Sequence, residues 1–317
     1  MNSSVRTDLA IENAEMFQET EELQGIRIEE ERGQVSGIRV TWVTVENEQG
    51  RKLGKAIGDY VTLEVPMLDE TDVSYHREIT NEVAEQMRRL IPDMKHKKIL
   101  VAGVGNREMA PDALGPMVVD HLFITRHLIQ EYGKHSEITK GMGCVSALAP
   151  GVMAQTGIET REILLGTIRE TKPDVLIVID ALAARSVKRL NKTIQITNTG
   201  IAPGAGVGNR RFGIDAESMG IPVIAIGIPT VIDAATIVND TVGNLLAIMD
   251  ETQNRLSERI WEGVAPFDEQ ERYQLMRELM APEMMNMFVT PKNIDEIVQQ
   301  MSYTLSESLN GLCHSMA

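Results

Sequence analysis

The apolar residues of the chain fall into two kinds of stretch. Short unbroken runs read as buried strands, and longer stretches with apolar residues three and four apart read as helices. "KILVAGVG" (98–105), "PDVLIVIDAL" (173–182) and "GIPVIAIGIPTVID" (220–233) are of the first kind, and "KTIQITNTGI" (192–201) is a strand or edge strand. Helical spacing marks "REITNEVAEQMRRLI" (77–91, stopped by Pro92), most of "ALGPMVVDHLFITRHLIQEYG" (113–133), "TREILLGTIRETK" (160–172) and "AATIVNDTVGNLLAIMDETQ" (234–253). Apolar strands separated by helices predict an α/β fold, a mostly parallel sheet with helices on both faces.

The flanks differ from this centre. Residues 1–31 are acidic and polar, and "LAIENAEMFQETEEL" (9–23) suits a helix with Thr7 or Asp8 as its N-cap. "VSGIRVTWVTV" and "AIGDYVTLEV", joined by the polar "ENEQGRKLGK", read as a hairpin over 35–66. From about residue 256 to 317 the chain is helical in character, in "DEQERYQLMRELMAP" and "KNIDEIVQQMSYTLSESLNGL". Between them the Met-rich "MAPEMMNMF" reads first as core filler.

Composition narrows the function. The 317 residues are 43% hydrophobic, which suits one large α/β domain. A formal net charge of -15 argues against phosphate-backbone binding, so no nucleic-acid partner is expected. Two cysteines, Cys144 and Cys313, lie far apart without CxxC spacing, which suggests a reducing compartment and neither a disulfide framework nor a zinc knuckle. No apolar run is long enough for a membrane span, and the N-terminus lacks the apolar core of a signal peptide. A cytoplasmic protein is expected.

Two acids stand out. Asp180 ends the strand "VLIVI", and Asp112 follows "ILVAGVGN" after a short loop and precedes a helix. In an open parallel sheet ligands sit beyond the carboxyl ends of the strands, and both acids are there, flanked by small residues. Each alone reads as a helix cap or a polar strand end; together they point to a site.

The turn "GVGN" contributes Gly103, Gly105 and Asn106 as oxyanion or substrate-loop candidates. It is not a dinucleotide fingerprint, because Glu108 stands where a third glycine belongs. The Gly-rich loop "NTGIAPGAGVGNRRFGID" (198–215) offers Arg210 and Arg211 to an acidic group. G-x-S-x-G, HExxH and P-loop motifs are absent, and no spacing ties Cys144 to His121 or His127. No cofactor and no metal ligand set is read.

Taken together, "SVRTDLAIE", "GVGN…PDALGP", "VIDALAAR", "NTGIAPGAGVGNRR" and "GIPTVIDAATIV" resemble the germination proteases, the spore proteases of peptidase family A25, over nearly the whole chain. The resemblance implies an endopeptidase that degrades small acid-soluble spore proteins during germination in the spore core. Its two catalytic acids would be Asp112 and Asp180, with no cofactor, and the assembly would be a homotetramer to which the Met-rich region contributes. The implied fold is similar to that of hydrogenase-maturation endopeptidases, which share the Gly-x-Gly-Asn turn; those use acids and a His to sense nickel, and no His counterpart is identified here. The resemblance also implies a self-processing precursor. "RTDLAIE" is similar to the acid–hydrophobe–Ala pattern of the substrates, so the processed bond would be Asp8–Leu9, with 1–8 as propeptide and 9–317 as the protease domain.

Two close carboxylates share a proton, one acting as base toward water and the other as acid. Work near neutral pH requires a raised pKa, which burial among Ala113, Leu114, Ala181 and Leu182 would supply. The alternatives are a metal-dependent maturation-type endopeptidase and a non-enzymatic peptide- or nucleotide-binding protein.

Overall fold

A computed structural model describes residues 7–18, 24–33, 37–66, 73–134, 136–202, 212–252 and 287–315. Among the described residues its centre is one nine-stranded sheet. The strands are β1 (Ile26–Arg32), β2 (Arg39–Val45), β3 (Gly58–Glu64), β4 (Lys98–Gly103), β5 (Cys144–Leu148), β6 (Val175–Ala184), β7 (Thr193–Thr197), β8 (Val223–Asp233) and β9 (Phe288–Val289). They are ordered β1-β2-β3-β7-β8-β6-β4-β5, with β9 pairing β8. The helices are α1 (Ala10–Gln18), α2 (Val73–Leu90), α3 (Leu114–Asp120), α4 (Arg126–Tyr132), α5 (Met153–Thr156), α6 (Thr160–Thr171), α7 (Ala216–Met219), α8 (Ala234–Thr252) and a C-terminal helix, Ile294–Cys313.

The α/β class stands, and the sheet is mixed. β8, β6, β4 and β5 run parallel, as the unbroken apolar runs require. β7 is antiparallel to both β8 and β3, and the β2–β3 hairpin continues through it into the same sheet. The strand 193–197 is therefore interior, and all of its residues are buried. Alternation along β4 and β6 splits the core. Ile99, Val101, Ile177 and Ile179 face α2, α3 and the C-terminal helix, whereas Leu100, Ala102, Leu176 and Val178 face α6 and α7. In α2 the buried Ile79, Val83 and Met87 repeat every four residues.

Three elements depart from the sequence reading. β1 is nearly all exposed and polar, "IRIEEER", so it shows no periodic apolar signal. β5 lies in "CVSAL", whose five residues are too few to show a pattern. The helix expected across 113–133 is interrupted at His121–Thr125. There the backbone bonds elsewhere: Phe123 N donates to Asn310 Oδ1 at 2.9 Å, and Thr125 N donates to the Val145 carbonyl at 3.0 Å. The expected helix at 268–282 and most of the Met-rich segment lie outside the described residues.

Candidate active site

Asp180 and Asp112 are carried to one place by backbone packing. β4 ends at Gly103, and the Val104 N–H still bonds the Ile179 carbonyl at 2.8 Å, beside the end of the β6 core run. Asp180 does not end its strand as expected: β6 continues to Ala184 because β8 keeps pairing it there, while β4 stops. The first turn of α3 then lies across the end of β4 and across Ile179 of β6. A Cβ on Gly115 would meet the Val104 carbonyl oxygen at 2.4 Å and the Ile179 carbonyl oxygen at 2.5 Å, so only glycine allows the approach.

The connecting loop closes on itself. Gly105 has φ +119°, and a Cβ there would lie 2.1 Å from the Asp112 carbonyl oxygen. A 3-10 turn, Ala110–Asp112, delivers the acid, and the Asn106 N–H donates to Asp112 Oδ2 at 2.8 Å. β8 holds the loop from the other side: Thr230 Oγ1 donates to the Pro111 carbonyl at 2.6 Å. Thr230 is available because the β6–β8 register slips between Leu182 and Ala183, a bulge that leaves it out of the pairing.

Both predicted acids line one cavity of about 510 Å³, together with Asp8, Gly105, Asn106 and Thr230. Asp180 is 7% exposed, and Ala113, Leu114 and Leu182 around the pair are buried. Its Oδ1 accepts from the Ala181 N–H at 3.0 Å. Asp8 and Asp180 also line a second cavity of about 290 Å³, with Lys55, Tyr60 and Gln195.

The N-terminal segment lies against this site. β4 pairs β6 as far as Ile179, and beyond it Asp8 bonds β6 near its end. Asp8 N donates to the Ala183 carbonyl at 3.0 Å, and Ala183 N donates to Asp8 Oδ2 at 2.8 Å. Of the two expected caps of α1, Thr7 supplies an oxygen locally, accepting from Leu9 N at 3.0 Å. Leu9 packs with Ile11, Leu182 and Ala184, and Ala10 packs with Val43, Val45, Leu53 and Tyr60.

Electrostatics moor α1. Glu12 is 1% exposed and accepts from the Arg185 and Ser186 backbone N–H groups at 2.8 and 2.9 Å, and from the Thr7 hydroxyl. Burial pushes the Glu12 carboxyl above its ordinary range, against the pull of those bonds and of Arg189. Arg189 is paired with Glu15 at 2.6 Å and with Glu64 at 3.1 Å. Burial disfavours its charge, but Glu15, Glu64 and Glu12 outweigh that and hold its pKa above the ordinary value.

Two residues at the site carry no sequence signal. Lys55, in the polar hairpin connection, donates Nζ to the Asp8 carbonyl at 2.7 Å. Gln195, on β7, donates Nε2 to the same oxygen at 3.0 Å and accepts from the Ala10 N–H at 2.7 Å. Of the loop candidates, Gly105 and Asn106 line the larger cavity. The Asn106 N–H is engaged by Asp112, and Gly103 packs its backbone against Gly115. Arg210 and Arg211 lie outside the described residues, although the base of their loop is pinned by paired bonds between Ile201 and Ile214 at 2.8 and 3.0 Å.

The cysteines stand apart from this chemistry. Burial raises both thiol pKa values, that of Cys313 to about 12, so neither is poised as a thiolate. His121 stacks on Tyr303 with ring centroids 4.0 Å apart. Among the described residues no group of three or more His, Cys, Asp or Glu is arranged to hold a metal. No helix among them is long and apolar enough to cross a membrane.

Comparison with known proteins bears on the whole chain. The protein is 43% identical over 307 residues to a germination protease of Caldanaerobacter subterraneus subsp. tengcongensis, a match covering 96% of this chain and 93% of the relative. It is 42% identical over 310 residues to a germination protease of Clostridium tetani, covering 97% and 94%. Among solved structures, a [NiFe] hydrogenase maturation protease HycI from Thermococcus kodakarensis KOD1 matches at 20% identity and a TM-score of 0.30, over 46% of this chain and 80% of that one. Likeness at that level bears on no residue of the site. The family model described as Germination protease matches residues 5–267, and with relatives this similar over nearly their full length, the chain belongs to the germination protease family.

Proposed function

We propose that the chain is a self-processing precursor whose mature form degrades small acid-soluble spore proteins, using Asp112 and Asp180 as an acid–base pair. The observation that carries the reading is that the two aspartates share one cavity with Asp8, the residue before the expected cut. One carboxylate takes a proton from water as the water oxygen attacks the scissile carbonyl carbon. The other, protonated, donates to the leaving nitrogen as the C–N bond breaks. Carboxyl groups in one partly apolar site do not both ionise cheaply, which keeps one proton on the pair.

The docking of residues 8–10 supports the bond assignment. Leu9 and Ala10 are both 0% exposed, each in its own apolar cluster, and the Ala10 N–H is held by Gln195. A hydrophobe fits the first position. At the second, a side chain larger than a methyl group meets Val43, Val45, Leu53 and Tyr60. The hydrophobe–Ala part of the pattern fits that shape.

Incubation of the purified protein with a small acid-soluble spore protein, followed by mass mapping of products, tests the reading. Cleavage after an acid and before a hydrophobe–Ala pair is expected, along with loss of residues 1–8 from the enzyme. An intact substrate in the presence of protein lacking 1–8 would remove the proposed function. The assembly proposed is a homotetramer acting in the spore core, and the mass in solution by light scattering tests the stoichiometry.

A further inference from the structure

We propose that Lys55 and Gln195 form the oxyanion site for cleavage of the Asp8–Leu9 bond. The assignment rests on the reading that Asp112 and Asp180 cut that bond. An oxyanion site needs donors already aimed at the oxygen on which charge develops, in a place shielded from water. The Asp8 carbonyl oxygen receives Lys55 Nζ at 2.7 Å and Gln195 Nε2 at 3.0 Å. Lys55 and Gln195 share a cavity with Asp180. Of the donors in the GVGN turn, the Asn106 N–H is already engaged by Asp112.

The row geometry makes the site coherent. Asp180 pairs with Gly227, and Gly227 pairs with Gln195, so the acid and the amide lie in one row on one face. Two strand spacings separate their backbones, about 10 Å, and the residue between them has no side chain. That gap lets the Asp8 carbonyl reach Gln195.

The step balances as follows. The water oxygen bonds to the Asp8 carbonyl carbon, and one water proton passes to the basic aspartate. The carbonyl π pair moves onto its oxygen, where the Lys55 ammonium offsets the charge and the Gln195 amide N–H donates a hydrogen bond to it. The intermediate then collapses, the C–N bond breaks, and Leu9 N takes the proton of the acidic aspartate. One water is consumed, and the products are a carboxyl group on Asp8 and an amine on Leu9.

The test follows self-processing of the full-length chain by mass spectrometry in the wild type, Lys55→Met, Gln195→Glu, Asp112→Asn and Asp180→Asn. Hydrogen exchange at Ala10 and Ala183 reports whether the segment stays docked. Lys55→Met is expected to slow the cut about 10²–10³-fold with exchange protection retained. Gln195→Glu keeps an acceptor for Ala10 and loses the donor, and it is expected to slow the cut similarly; it decides the matter if Lys55→Met does not fold. A wild-type rate in either variant, with the aspartate variants inactive, overturns the oxyanion assignment alone. A loss of rate that tracks loss of protection overturns it too, by making the pair a docking clamp only. Aspartate variants that process normally, or a wild type never cut at this bond, overturn the parent reading and this one with it.

Discussion

Asp180 on β6 and Gln195 on β7 stand in the same row of the sheet, with Gly227 alone between them. The acid lines both cavities of the site, and the amide grips the backbone on either side of Leu9. This row joins the parallel half of the sheet to the hairpin half, and the expected processed bond lies against it.

Replacement of either acid by its amide keeps size and shape and removes proton transfer. Asp112→Asn and Asp180→Asn are each expected to fold with unchanged circular dichroism and to lose about 10²–10⁴-fold in rate on both self-processing and spore-protein substrate. Robust cleavage by either variant would remove that residue from the chemistry.

Gly227 is expected to reject even a methyl group. A Cβ there would fall 2.5 Å from Leu182 Cγ, and Leu182 is part of the seat of Leu9. Gly227→Ala should destabilise the fold by about 1–3 kcal/mol through overpacking, measured by urea unfolding, and should slow self-processing. An unchanged midpoint would show that Leu182 has room to move.

Ala10→Leu probes the proposed second position after the cut. The side chain has no space among Val43, Val45, Leu53 and Tyr60, so the segment should undock and the rate of loss of residues 1–8 should fall at least tenfold. Processing at the normal rate would mean that the packing around residue 10 does not bear on the cut.

Glu12 is the buried anchor of α1. Glu12→Ala removes the acceptor of the Arg185 and Ser186 N–H groups and leaves Arg189 with fewer carboxylates, at a cost of about 1–3 kcal/mol for the stranded donors. Faster tryptic cleavage around Arg185 and Arg189 is the expected signature. If the pattern is unchanged, Glu15 and the apolar seat of residues 9–14 suffice to hold the helix.

Lys55 is expected to set an alkaline limit on self-processing. Burial lowers its pKa from the ordinary value, opposed by the charges of Asp8 and Glu12. Asp180 and Asp215 line the same cavity, as does Tyr60, whose own pKa burial raises. Between the lowered folded value and the ordinary lysine value of 10.5 the unfolded chain binds more protons, so the contribution of Lys55 to stability rises with pH across that window. The donor charge is lost over the same range. Self-processing should therefore decline on the alkaline side before free lysine titrates, and in Lys55→Met that limb should be absent. An identical limb in the variant would assign it to another group.

Much of the architecture was legible in local pattern. Val175–Ile179 and Ile99–Ala102 announced buried parallel strands, and Ile79, Val83 and Met87 announced a helix face, because burial imposes period and composition on neighbours in sequence. The polar β1, the five-residue β5 and the break at His121–Thr125 were not legible, since each is held by partners distant in the chain.

What the sequence determined by itself is therefore the class of fold, the choice of Asp112 and Asp180 as candidate acids, and the resemblance that names the family. What only the tertiary structure decided is the company those acids keep. Lys55 and Gln195 meet the Asp8 carbonyl across 47 and 187 residues of chain, and a lysine in a polar turn looks the same whether it ends in water or on a half-buried carbonyl. Hydrophobic periodicity is a local property; the convergence of charged groups is fixed by sheet order and register, which the pairing of distant strands sets.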